Sequence, residues 1–170
     1  MRRTFAAVNW TVAVVALAAA ASGCSSNSGS SSSSSASPSS ATSSASAATQ
    51  AKVSTASVGS LGTILVNGTG RTLYLFEADK TSSSTCSGAC AAAWPPLLTS
   101  GTAKAESGVK SNLLGTTKRS GGLEQVTYHG HPLYLYAGDS KSGQANGEGL
   151  TQFGASWYVL TPSGNKVDKS

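Results

Sequence analysis

A chain of 170 residues with 19 glycines, 6% aromatic side chains and three cysteines holds material for one small domain, once its low-complexity segments are set aside. The formal charge of +5 falls to +3 when Arg2 and Arg3 leave with an amino-terminal signal, because ten Lys and Arg then face seven Asp and Glu. The remaining basic residues are scattered and form no run, which argues against nucleic-acid binding.

Residues 1–23 read as a signal peptide. Arg2 and Arg3 supply a positive start, and Ala6 to Ala21 is apolar apart from Asn9 and Thr11. That stretch is short for a membrane span, which needs ~20 apolar residues. It ends in Ala21-Ser22-Gly23-Cys24, which resembles the bacterial lipobox. The expected outcome is cleavage before Cys24 and acylation of its sulfur and new amine. Two or three acyl chains anchor stably where one is marginal. An ordinary secretory peptide with an incidental cysteine, or an uncleaved anchor, is the alternative.

From Cys24 to about residue 55 the chain is mostly Ser and Ala. Residues 25–50 carry no large apolar side chain to offset the entropy of ordering. This is expected to be a flexible tether, with a reach near 30 Å and a contour of about 100 Å for roughly 30 residues. The predicted address is the extracytoplasmic side of the bacterial cell membrane, with the lipid bilayer as a partner through acylated Cys24.

Residues 56–170 form the predicted domain, and they are duplicated. Gly62 to Asp79 matches Gly122 to Asp139 at an offset of sixty, without a gap. Gly70/Gly130, Leu73/Leu133, Tyr74/Tyr134, Leu75/Leu135 and Asp79/Asp139 are identical pairs, as are Gly62/Gly122 and Val66/Val126. Phe76 and Tyr136 are both aromatic, and Trp94 loosely parallels Trp157. The repeats run about 58–100 and 118–165.

Each repeat reads as β structure. Asn67-Gly68 marks a tight hairpin between Ile64-Leu-Val66 and Leu73–Phe76, and Tyr128-His-Gly130 stands at the same place in the second repeat. Gly70 and Gly130 sit where positive φ is expected. Period two places Tyr74 and Phe76 on one face and Leu73 and Leu75 on the other, so both faces should be covered. The one helical stretch is short, near 88–93, and stops at Pro95-Pro96. The predicted class is all-β, mainly antiparallel, built from two pseudo-symmetric units of hairpin plus tryptophan strand.

The chain resembles a bacterial lipoprotein family with a repeated Tyr-x-aromatic-x-x-Asp motif. Here the motif is Tyr74-Leu-Phe76-Glu-Ala-Asp79 and Tyr134-Leu-Tyr136-Ala-Gly-Asp139. The accompanying Gly-Arg-Thr-Leu-Tyr, Cys-x-Gly-x-Cys, Trp-Pro-Pro and Gly-x-Pro-Leu-Tyr segments also match, over roughly residues 58–165. The family is a secreted repeat of unknown function, so the resemblance implies an envelope protein and no chemistry.

Four features carry chemical potential. Cys86 and Cys90, in an exported chain, are expected to form a disulfide; four residues apart in a helical turn, their Cα atoms lie ~6 Å apart. His129 and His131 are the only histidines. With both cysteines they supply four ligands for zinc or copper, and a metal- or redox-linked envelope protein using Cys86, Cys90, His129 and His131 is the alternative to turn histidines beside Gly130. The first repeat has Thr69 and Arg71 at these positions, and the only methionine, Met1, leaves with the signal, which weakens a copper reading.

Asp79 and Asp139 are a candidate acid–base pair for a glycan, against the simpler role of turn acceptors with the tyrosine five residues earlier in reach. Trp94, Trp157 and His131 are a candidate ligand surface, against the simpler reading of the tryptophans as core. No serine-nucleophile, zinc-protease or phosphate-loop motif is present. The sequence favours a non-enzymatic binding module without cofactor, with cell-wall glycan or another envelope protein as candidate partners.

Overall fold

The computed structural model describes residues 49–168. The signal peptide, Cys24 and most of the tether lie outside the described residues. Ten strands follow in chain order: β1 (Lys52–Ser57), β2 (Thr63–Asn67), β3 (Tyr74–Phe76), β4 (Leu98–Thr99), β5 (Lys104–Ala105), β6 (Leu114–Lys118), β7 (Glu124–Tyr128), β8 (His131–Pro132), β9 (Thr151–Gln152) and β10 (Ala155–Val159). They form three small sheets, ordered β2-β1-β5, β3-β10-β9 and β4-β7-β6, with β8 added to β7. All pairings are antiparallel except β1 with β5. One short helix, α1 (Ala89–Ala93), ends where Pro95 and Pro96 cannot continue it. The predicted all-β class therefore holds.

One boundary moves. β1 begins at Lys52, inside the stretch assigned to the tether. Its sequence, Lys-Val-Ser-Thr-Ala-Ser, offers one large apolar residue, Val53, so local pattern gives little sign of a strand. Pairing with β2 from Val53↔Asn67 to Ser57↔Thr63 supplies what propensity does not.

The repeats superimpose with a change of register. β1–β2 pairs Val53 with Asn67, and β6–β7 pairs Leu114 with Tyr128. The structural offset up to the hairpin turn is therefore sixty-one, as Asn67 and Tyr128 show. After the turn it is sixty, as Tyr74 and Tyr134 show. The match is not ungapped: the first turn is one residue longer. Asn67 N–H donates to Arg71 O across a three-residue loop, whereas Tyr128 pairs directly with His131 across His129-Gly130. Gly70 (φ 79°) and Gly130 (φ 83°) take the left-handed conformation in both. In the tighter second turn His129 takes it too, at φ 51°, as a two-residue turn with both central φ positive requires. The identities Gly62/Gly122 and Val66/Val126 are thus not structural partners. Ile64 corresponds to Gln125, and both are fully buried.

Each repeat lends its tryptophan segment to the other. β10, with Trp157, pairs with β3 of the first repeat, and Leu65 N–H donates to Leu160 O. Reciprocally, the segment after Trp94 runs beside the second repeat. Leu135 N–H donates to Pro95 O, Ala137 N–H to Ala93 O and Val126 N–H to Leu97 O. Pro95 and Pro96 have no N–H to return, so this ladder is weaker than its counterpart.

The period-two reading of Leu73–Phe76 holds. Leu73 and Leu75 join Val53, Leu65, Val126, Tyr128, Leu133 and Leu160 in one core cluster. Tyr74 and Phe76 join Ile64, Trp94, Tyr134, Trp157 and the cysteines in the other.

Candidate functional site

The pseudo-twofold axis passes between Tyr74 and Tyr134. Their backbones exchange two hydrogen bonds, each N–H donating to the other's O at 2.9 Å. Around them the second core cluster is built from aromatic rings. Phe76, Trp157, Trp94 and Tyr136 stack in that order, with centroid separations of 4.0, 3.9 and 4.3 Å. Tyr74 meets Trp94 edge-on at 5.3 Å, and Tyr134 meets Trp157 edge-on at 5.2 Å. Both indole N–H groups find Gln152: Trp94 donates to its side-chain oxygen and Trp157 to its carbonyl. Trp94 and Trp157 are 0% exposed. They are core, and the predicted ligand surface made of them does not exist, because burial of so large an apolar area outweighs display.

The two motif aspartates are turn acceptors, but their tyrosines come from the opposite repeat. Tyr134 donates its hydroxyl to Asp79 Oδ2 and Tyr74 donates to Asp139 Oδ2, each at 2.6 Å. The expectation of a tyrosine five residues earlier is corrected here. Because the tyrosines face each other across the axis, each ring crosses to the far carboxylate. The other oxygens receive local donors: Thr85 N–H and hydroxyl on Asp79, Asn146 N–H on Asp139. Asp79 and Asp139 are 6% and 1% exposed. Burial, reinforced by the bonded aspartate, raises both phenols well above their ordinary value.

Each loop that follows an aspartate is held by an arginine of the other repeat. The first contains the Cys86–Cys90 disulfide, as expected, with Cα atoms 5.3 Å apart. Arg119 donates to Ser84 Oγ, Cys86 O and Gln125 Oε1. At the start of the second loop, 140–146, Arg71 Nη2 donates to Tyr136 O at 2.8 Å and Asp139 O at 2.7 Å, and within it Gln144 O accepts from Thr72 Oγ1. Joined to each other, Cys86 and Cys90 are not thiolates, so the four-ligand set with His129 and His131 does not form.

The histidines instead border an open cleft of about 470 Å³. His129 sits in the tight turn and His131 opens β8 just after it, with ring centroids 6.5 Å apart, so the two do not share one extended strand. His129 packs closely over Gly164, where any Cβ would overlap the imidazole. His131 is half-buried, and burial followed by the neighbouring His129 lowers its pKa against the pull of Asp79. Leu75 and Phe76 form the apolar part of the cleft, and Glu77, Asp79, Lys80 and Lys166 the charged part. Lys166 bridges Glu77 at 2.8 Å and Asp168 at 3.2 Å, which raises its pKa. Of these residues the sequence singled out Phe76, Asp79 and the histidines. Glu77, Lys80 and Lys166 belong to no motif, and the replacement of Arg71 by His131 at one repeat position was the visible signal.

A family model described as a secreted repeat of unknown function matches residues 55–98 and 115–161. The chain belongs to that family of secreted repeats and is an exported protein. The two matched segments coincide with the two structural units, each ending just after the tryptophan segment it lends. No curated protein and no solved structure matches the chain. Among the described residues no helix is long and apolar enough to cross a membrane.

Proposed function

We propose that the chain is a lipid-anchored, non-enzymatic binding module of the bacterial cell envelope. Cys24 carries the acyl chains, the serine-rich segment holds the domain off the membrane, and the cleft beside His131 meets an envelope partner. The observation that carries this reading is the commitment of Asp79 and Asp139. Buried and accepting tyrosine hydroxyls from the opposite repeat, they serve the fold and not acid–base work on a substrate. What the domain leaves for interaction is surface.

Two measurements test it in the full chain. A fatty-acid probe labels the wild-type protein and not Cys24→Ser; equal incorporation in both removes the anchor. A photo-crosslinking residue at Asn165, on the cleft rim, yields an envelope adduct that the same residue at Thr116, exposed on β6, does not; equal adducts from both positions remove the binding role.

A further inference from the structure

We propose that the cleft is a guanidinium site that takes an arginine side chain from a partner polypeptide, in the place that Arg71 fills in the other half of the domain. The inference rests on the binding-module reading above and names its ligand chemistry.

The argument begins with the pseudo-twofold. Arg71 and His131 are equivalent, as are Tyr136 and Phe76, and Asp139 and Asp79. Arg71 directs its guanidinium to the carbonyls of Tyr136 and Asp139. The backbone that presents those carbonyls is repeated in the other half. Asp139 N–H donates to Tyr136 O at 3.1 Å, and Asp79 N–H donates to Phe76 O at 3.0 Å. The carbonyls of Phe76 and Asp79 therefore stand as the counterparts of an arginine's acceptors.

The residue opposite them is His131, whose ring reaches less far from the backbone than an arginine. The cleft that borders His131, Phe76 and Asp79 is the space this leaves. The two turns differ accordingly: the 140–146 loop closes over the first so tightly that a Cβ on Gly70 would lie 2.6 Å from Ser142 Oγ, whereas one on Gly130 meets nothing.

The charges suit a cation. The lining sets Glu77 and Asp79 against Lys80 and Lys166, and Asp168, paired with Lys166 as Glu77 is, brings the balance to one negative charge. His131, held toward its neutral form, adds none at neutral pH. In the filled half one guanidinium nitrogen, Arg71 Nη2, meets both carbonyls, and a guanidinium gives up water more readily than an ammonium does, so arginine is preferred to lysine.

The test uses the full chain and Nα-acetyl-arginine methylamide, with the lysine and citrulline amides as comparators. Citrulline keeps the shape and loses the charge. The expected result is saturable movement of the backbone NMR signals of Glu77, Lys80 and Gly130 with the arginine amide, at least ten-fold weaker with the other two. In His131→Arg the socket is filled from within, so the response is lost and Tm rises. Equal response to citrulline or lysine overturns the inference in the wild-type chain alone, whatever the variant does. Capture of an envelope glycan at Asn165, with no response to arginine, also overturns it and leaves the binding module standing.

Discussion

The two halves of this domain share a centre and differ at the edge. At the centre the equivalences are near-perfect: one stack of four rings, two edge-on tyrosines and two tyrosine–aspartate bonds related by the same axis. At the edge the first repeat is apolar at Val58 and Ile64, where the second carries Arg119 and Gln125. The first plugs its socket with Arg71 and the second leaves an open cleft beside His131. A duplicated fold keeps what both halves need in order to close. It diverges where each half can be completed by a local substitution. The cleft thus lies where the two halves differ, beside a centre they share.

The largest expected effect strikes the shared centre. Trp94→Ala and Trp157→Ala each remove the middle of the stack and are expected to cost about 3–5 kcal/mol, a large share of the stability of a small domain. Denaturant unfolding should give similar losses for the two. A loss confined to one would break the symmetry of the core.

Next come the tyrosine–aspartate bonds. Tyr74→Phe and Tyr134→Phe each leave a buried carboxylate oxygen short of a donor, at a cost of about 1.5–3 kcal/mol. Asp79→Ala and Asp139→Ala should cost about as much and the Asn variants less, since Asn retains an acceptor. Melting curves of all six decide it; Asn and Ala variants that both leave Tm unchanged would remove the structural account. The same bonds set an alkaline limit. The folded phenols are raised above 10.0 and stay protonated while unfolded tyrosines ionise. Their stabilisation is full below pH 10 and is lost as pH rises above it. The fall in Tm between pH 9 and 11 should be shallower in either Tyr→Phe variant.

Reduction of Cys86–Cys90 acts on one half only. Its small ring predicts a loss of about 2 kcal/mol. Amide exchange should speed up in 80–90 and leave 140–146 protected, which sharpens the contrast between the two loops. Uniform loosening would show that the loops are coupled.

Much of this frame was legible in the sequence. The faces of Leu73–Phe76, left-handed Gly70 and Gly130, the brief helix and the disulfide follow from residue type and spacing, because each is decided within a few residues. The exchange of tryptophan segments and the crossing of Tyr74 to Asp139 were not legible. A tyrosine five residues from one aspartate and far along the chain from another carries no local mark of which it will reach. The extra residue in the first turn was masked by the chance identities Gly62/Gly122 and Val66/Val126. The cleft is harder still, since it is bounded by the carboxy-terminal turn at Gly164, to which no motif points.

The smallest expected effect separates the turns. Gly70→Ala and Gly130→Ala both force a side chain into positive φ, costing about 1 kcal/mol. Gly70→Ala should cost more, because its Cβ also meets Ser142. Equal Tm shifts would show that the loop gives way freely.

The lending of tryptophan segments has a consequence for the order in which the chain assembles. Leu65 in β2 finds its acceptor at Leu160, and β3 finds its partners in β10 and at Tyr134, all in the second repeat. A chain delivered from its amino terminus therefore carries a first repeat that cannot close until nearly the whole domain has emerged. Such non-local pairing slows folding, since long loops must be closed before any contact rewards them. Neither repeat closes on itself, and a cut between them yields two fragments, each missing a segment that pairs with it in the whole domain.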